Sequence, residues 1–162
     1  MRHRFIEERE DAISQVAEAF VVPSAAMTEA LACCDRGDRR GMRSALAPYG
    51  FEAFAWSGYV IVVLVEWLRE HAIDLPRSRA PAIQGLLKAC DPLLCVQTAE
   101  AATLAAQLEG LMPSSDELVR YWVEFTGDNA PEAARFMVEG WDWLMRLVRA
   151  GTRADWCVLF EG

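Results

Sequence analysis

Apolar residues recur along most of this chain at helical spacing. Phe5, Ile6, Ile13, Val16 and Phe20 fall on one face and predict a first helix over residues 4–20. Pro23 interrupts it, and Ser24 is placed to cap a second helix carrying Met27, Leu31 and Cys34. Arg36-Gly37 closes that helix, and Asp38 is positioned to cap a short third one ending near Leu46. Pro48-Tyr49-Gly50 reads as a turn.

Residues 51–73 pose a conflict between two patterns. Tyr59-Val60-Ile61-Val62-Val63-Leu64-Val65 is β-branched and resembles a buried strand in isolation. It runs on into Glu66, Arg69 and Glu70, which share one helical face opposite Ile61, Leu64, Val65, Leu68 and Ala72. A periodic segment of this length without a turn signal predicts a central buried helix.

Beyond it, residues 74–81 read as a loop, and Pro81 suits the first turn of a helix ending near Cys90. Thr98 is placed to cap a helix over 99–111. Ser114 with Glu117 forms a capping box for a helix reaching Thr126, closed by Gly127. Asn129 with Glu132 repeats that spacing before the last helix, closed by Gly151. Two short apolar runs, Leu93-Leu94-Cys95-Val96 and Trp156–Phe160, are strand candidates that could pair with each other. The predicted fold is a mainly α, single-domain bundle of seven or eight helices, with at most a minimal two-stranded sheet.

The last helix has two apolar stripes. Ala134, Met137, Val138, Trp141, Leu144, Met145 and Val148 make one, and Phe136, Gly140, Trp143 and Leu147 make the other. A helix apolar over most of its circumference is packed on two sides or keeps one stripe for a partner. The first stripe is expected in the core, with Trp122, Trp141 and Leu144 buried together. The second leaves Trp143 as a candidate contact residue.

Composition narrows the function classes. With 162 residues and 53% apolar content, the chain can fold without a metal or disulfide. Net charge is −8, and residues 82–162 hold 6 basic against 12 acidic groups. That balance opposes binding to nucleic acid or to an anionic membrane. The most apolar stretch, 54–65, has twelve uncharged residues, whereas spanning a bilayer takes about 20. The start, Met1-Arg2-His3-Arg4 followed by Glu7, Glu8, Glu10 and Asp11, lacks the apolar core of a secretory leader. Cys33, Cys34, Cys90, Cys95 and Cys157 are an odd set without framework spacing. They are expected as free thiols in a reducing cytoplasm.

Catalytic inventory is thin. His3 and His71 are the two histidines, and His71 falls at a helix end where the dipole favours a cation. No Glu-x-x-His pair, paired cysteine zinc ligands, Cys-x-x-Cys, phosphate-binding glycine loop or Gly-x-Ser-x-Gly elbow is present. No cofactor or metal is predicted, and the balance leans against an enzyme. One polar cluster stands apart: Arg36, Arg39, Arg40 and Arg43 lie within eight residues, moderated by Asp35 and Asp38. Guanidinium groups grouped in this way suit carboxylates or phosphates.

These features identify neither a reaction nor a named partner. They point first to a non-catalytic protein-binding domain, with an inhibitor or immunity-type protein as its narrower form. Size, acidity and helix content are shared with small bacterial interaction proteins, a compositional likeness that carries no residues over. The expected contacts on another protein are Arg36, Arg39, Arg40, Arg43 and Trp143. The alternative is a helical domain holding an apolar small molecule in an aromatic-lined pocket, as six tryptophans would permit.

Overall fold

A computed structural model describes residues 16–161. Among them are seven α-helices and three strands. In chain order these are β1 (Glu18–Val22), α1 (Ser24–Asp35), α2 (Arg39–Leu46), α3 (Gly58–Glu70) and α4 (Gln84–Cys90). There follow β2 (Leu94–Gln97), α5 (Thr98–Leu111), α6 (Ser115–Thr126), α7 (Ala133–Gly151) and β3 (Trp156–Phe160). Single 3₁₀ turns cover Ala47–Tyr49 and Pro81–Ile83. The fold is mainly helical, as the periodicity predicts, and the disputed 59–65 run is helix.

The sheet is larger than the predicted two-stranded one. β3 lies in the middle, antiparallel to both neighbours, in the order β1-β3-β2. Cys95 faces Val158 and Val96 faces Cys157 on one side, while Val21 faces Cys157 and Phe20 faces Val158 on the other. β1 corrects the predicted first helix, whose last residues are extended; its earlier part, 4–15, lies outside the described residues. Glu18-Ala-Phe-Val-Val places alternate side chains in two different cores, a period of two that also fits the end of a helical pattern.

Both faces of the sheet are covered. Ala19, Leu94, Val96, Cys157 and Leu159 point into a large core built with α3, α5, α6 and α7. Val22, Cys95, Trp156 and Val158 point into a smaller one with α1, α2 and α4. Strands buried on both faces become continuous apolar runs, which is why β2 and β3 have no polar alternation. Loops seal the edges: Phe51 N–H donates to Ala19 O at 2.8 Å, and Ser78 N–H donates to Cys95 O at 2.7 Å.

α3 runs through the larger core, with Ile61, Val63, Leu64 and Leu68 fully buried. It starts at Gly58 behind Ser57, whose Oγ accepts from Tyr59 N–H, so residues 51–57 are not helical as predicted. α7 crosses α3 at Gly140. A Cβ there would stand 2.9 Å from Leu64 Cδ1 and 3.0 Å from Val60 Cγ1. This close approach sets the rotation of α7 and reverses the expectation for its tryptophans. Trp143 is 2% exposed, whereas Trp141 is half-buried.

Helix starts agree with the sequence in part. Asp38 Oδ1 accepts from Gly41 N–H at 2.8 Å, and Ser114 Oγ accepts from Glu117 N–H at 3.1 Å. Ser24 is not the cap of α1 but its first residue, and its N–H donates to Asp155 Oδ2 at 2.8 Å. The α5 cap moves back from Thr98 to Gln97, whose N–H donates to Glu100 at 2.9 Å. α7 begins at Ala133 without a side-chain cap, so the Asn129 signal is not used there. Among the described residues no helix is long and apolar enough to cross a membrane.

Candidate functional site

The four arginines are all exposed, and three of them have contacts within the chain. Asp38 starts α2 so that Arg39 and Arg43 emerge one turn apart, and each finds a different neighbour. Arg39 Nη2 donates to Ala89 O at 3.3 Å, in the last turn of α4. Arg43 pairs with Glu18 of β1 at 3.4 Å. Arg36, which caps the end of α1, brings Nη2 to 3.4 Å from Cys33 Sγ. Arg40 is exposed and makes no hydrogen bond or ion pair among the described residues. The cluster thus ties α2 to β1 and α4 through exposed contacts, each worth about 0–1 kcal/mol.

Trp143, the fifth predicted contact, is enclosed. Its Nε1–H donates to Glu52 O at 2.8 Å, and Phe51 and Phe54 lie 5.9 and 5.3 Å from its ring centre. It holds the 51–57 segment to α7 and offers no face to a partner. Trp56 secures the same segment through Nε1–H to Glu139, which also accepts from Arg135 at 2.8 Å. Those two hydrogen bonds hold the Glu139 carboxyl below its ordinary range. Trp122 lies against Phe136 and Tyr59, with ring centres 4.6 and 5.9 Å away. Its Nε1 is buried without a hydrogen-bond partner among the described residues.

A concave surface lies elsewhere, where α5 ends, α6 begins and α7 passes beneath. Leu111-Met112-Pro113 cannot continue a helix, because a residue before proline is disfavoured in the α conformation. Met112 turns into the left-handed region at φ 38° and ψ 62°. Ser114 then caps α6. This corner leaves Met112 82% exposed above a groove of about 610 Å³. Leu108, Leu118 and Met145 form its buried floor, and Val138 and Trp141 form its half-buried wall.

Charges line the rim. Arg149 pairs with Glu109 at 3.3 Å, Arg146 reaches Glu52 through two contacts of 3.1 and 3.3 Å, and Asp142 also lines the groove. Behind the groove Trp141 meets Trp67 edge-to-face at 5.6 Å, and the His71 ring lies tilted against Trp67 with centres 4.0 Å apart. His71 Nδ1 donates to Trp67 O at 2.8 Å, while its Nε2 lies 3.5 Å from Glu117. His71 therefore sits at a helix end, as its position predicts, and braces the groove wall.

Of the groove residues Val138, Trp141 and Met145 stood out in the sequence, and all three stood out for the core. The usable signal was an apolar pair directly before a proline at a helix end. Among the described residues no three His, Cys, Asp or Glu side chains converge as a metal site. The five cysteines are unbridged. Burial pushes the Cys95 and Cys157 thiols up to about 12, and burial with the adjoining Cys90 thiol raises Cys34. No protein-family model, curated protein or solved structure matches the chain.

Proposed function

We propose that this chain is a protein-binding domain whose contact surface is the groove between α5, α6 and α7. The observation that carries the reading is Met112, a large apolar side chain 82% exposed at the mouth of an apolar trough. Two flexible thioethers, Met112 and Met145, flank the flat ring of Trp141, a combination that adapts to a partner's apolar side chains. A groove between helices suits an amphipathic helix that inserts its apolar residues. Asp142 and the rim ion pairs would fix register and direction.

The groove is open along one side, which favours an inserted side chain of another protein over a sequestered apolar small molecule. Arg40, exposed on α2, is the arginine best placed to add a polar contact. Its three neighbours already have contacts within the chain. A photo-cross-linking amino acid placed at position 112, and separately at position 40, tests the assignment in the native cell. A discrete protein adduct from position 112, lost on Trp141→Ala in a folded variant, is expected. Adducts from position 40 alone would move the contact to α2. A small molecule retained by the intact protein in native mass spectrometry would favour the pocket reading.

A further inference from the structure

The smaller core contains a sulfur cluster that the groove does not use. Cys34 on α1, Met42 on α2 and Cys90 on α4 come from three separate helices and meet at the margin of that core. Cys90 Sγ lies 3.7 Å from Met42 Sδ. Cys34 and Cys90 both pack against that core, and Cys90 lies close enough to Cys34 to raise its thiol, after burial itself. Both thiols are half-buried and so reachable from solvent, while Met42 is 4% exposed behind them.

We propose that Cys34, Cys90 and Met42 form a three-sulfur site for a soft monovalent cation, Cu(I). Three sulfurs at metal–sulfur bonds of about 2.3 Å lie roughly 4.0 Å apart in a trigonal plane and roughly 3.8 Å apart in a tetrahedron. The Cys90–Met42 separation of 3.7 Å is already close to that spacing. Thiolate and thioether donors select Cu(I) over harder divalent ions. Structural zinc wants four thiolate, imidazole or carboxylate ligands, and this cluster has two.

The step balances without an oxidant. Two thiols and Cu(I) give a bis-thiolate copper(I) unit of charge −1 and release two protons to solvent. Met42 donates a lone pair and no charge. Arg39 lies beside Cys34 and anchors on Ala89 O at 3.3 Å, one residue before Cys90. Its guanidinium offsets the negative unit, and this gives one of the clustered arginines a function within the chain.

The test uses the reduced full chain under anaerobic conditions, with Cu(I) supplied from a chromophoric Cu(I) chelator. One equivalent of copper should be withdrawn from the chelator. Cys34→Ser and Cys90→Ser should each weaken retention by about 100-fold or more, and Met42→Leu by about 10-fold, as expected for losing a soft ligand. Met42→Leu conserves volume and should stay folded. X-ray absorption of the copper-loaded native chain needs no variant and should show only sulfur neighbours, three in number. No copper withdrawn, retention unaffected by either serine substitution, or nitrogen and oxygen in the first shell would overturn the site. Zn(II) bound as tightly as Cu(I) would overturn its softness.

Discussion

Gly140 rests on Leu64 so closely that a Cβ on the glycine would stand 2.9 Å from Leu64 Cδ1. Leu64 is fully buried and has little space to retreat. Gly140→Ala gains about 1 kcal/mol in helix propensity but overpacks the α3–α7 crossing at a cost of about 1–3 kcal/mol. The net expectation is a loss near 1 kcal/mol, and a larger one for Gly140→Val. Urea unfolding measures it, and a stabilised alanine variant would mean that the helices separate easily here.

The two tryptophans of α7 should differ sharply on truncation. Trp143 is enclosed and hydrogen-bonded, so Trp143→Ala should cost about 3–5 kcal/mol. Trp141 lines an open groove, and Trp141→Ala should cost less than half as much. Equal losses in denaturant midpoints would contradict the rotation assigned to α7.

Asp155, just before β3, accepts from the first N–H of α1, 131 residues away in sequence. Pro23 supplies no side-chain cap, so Asp155 performs that role across the fold. Asp155→Ala should cost about 1 kcal/mol, as for other cap losses. Asp155→Asn, which keeps an acceptor oxygen, should recover most of it. A serine variant at residue 23 that rescues Asp155→Ala would identify the lost interaction as the cap.

Glu139 predicts the acid side of the stability profile. Arg135 and the Trp56 indole hold its folded pKa below the ordinary carboxylate range. Its contribution is therefore present above the unfolded-state value of about 4.3 and is lost as pH falls through the lower folded value. Denaturant midpoints from pH 6 downward should fall less steeply in Glu139→Gln than in the native chain. Parallel acid limbs would remove Glu139 from the account.

The buried thiols predict the alkaline side. Cys95 and Cys157 stay protonated in the fold to about 12, while an unfolded cysteine ionises near 8.5. The stability they allow is full below that unfolded value and declines as pH rises towards 12. Cys95→Ala and Cys157→Ala should each flatten this decline. In the native chain at neutral pH, a thiol reagent should modify the half-buried Cys34 and Cys90 well before Cys95 and Cys157.

Helix 58–70 was legible because Glu66, Arg69 and Glu70 extend the periodicity of an ambiguous apolar run. The pairing of β2 with β3 was legible because both are apolar without alternation. β1 was not legible: five residues following a helical pattern cannot show their own period before their partner is known. The tryptophans were exchanged because a hydrophobic stripe gives area but not distance. Gly140, counted in the second stripe, marked the close approach of α7 to α3. The groove could not be read from any one segment, since two helix ends and the side of a third helix create it. The arginines were visible as a cluster, but Glu18 and Ala89, the contacts of two of them, are distant in sequence.

β3 comes after both of its neighbours in the chain, yet it stands between them in the sheet. During synthesis β1 and β2 therefore leave the ribosome with no strand to join. The helices of each core must wait with one wall missing, because residues 156–160 supply that wall to both at once. Closure of the two cores becomes a single late event rather than two independent ones. A released chain truncated before Trp156 should stay susceptible to protease at both cores, and restoring residues 156–160 should protect them together.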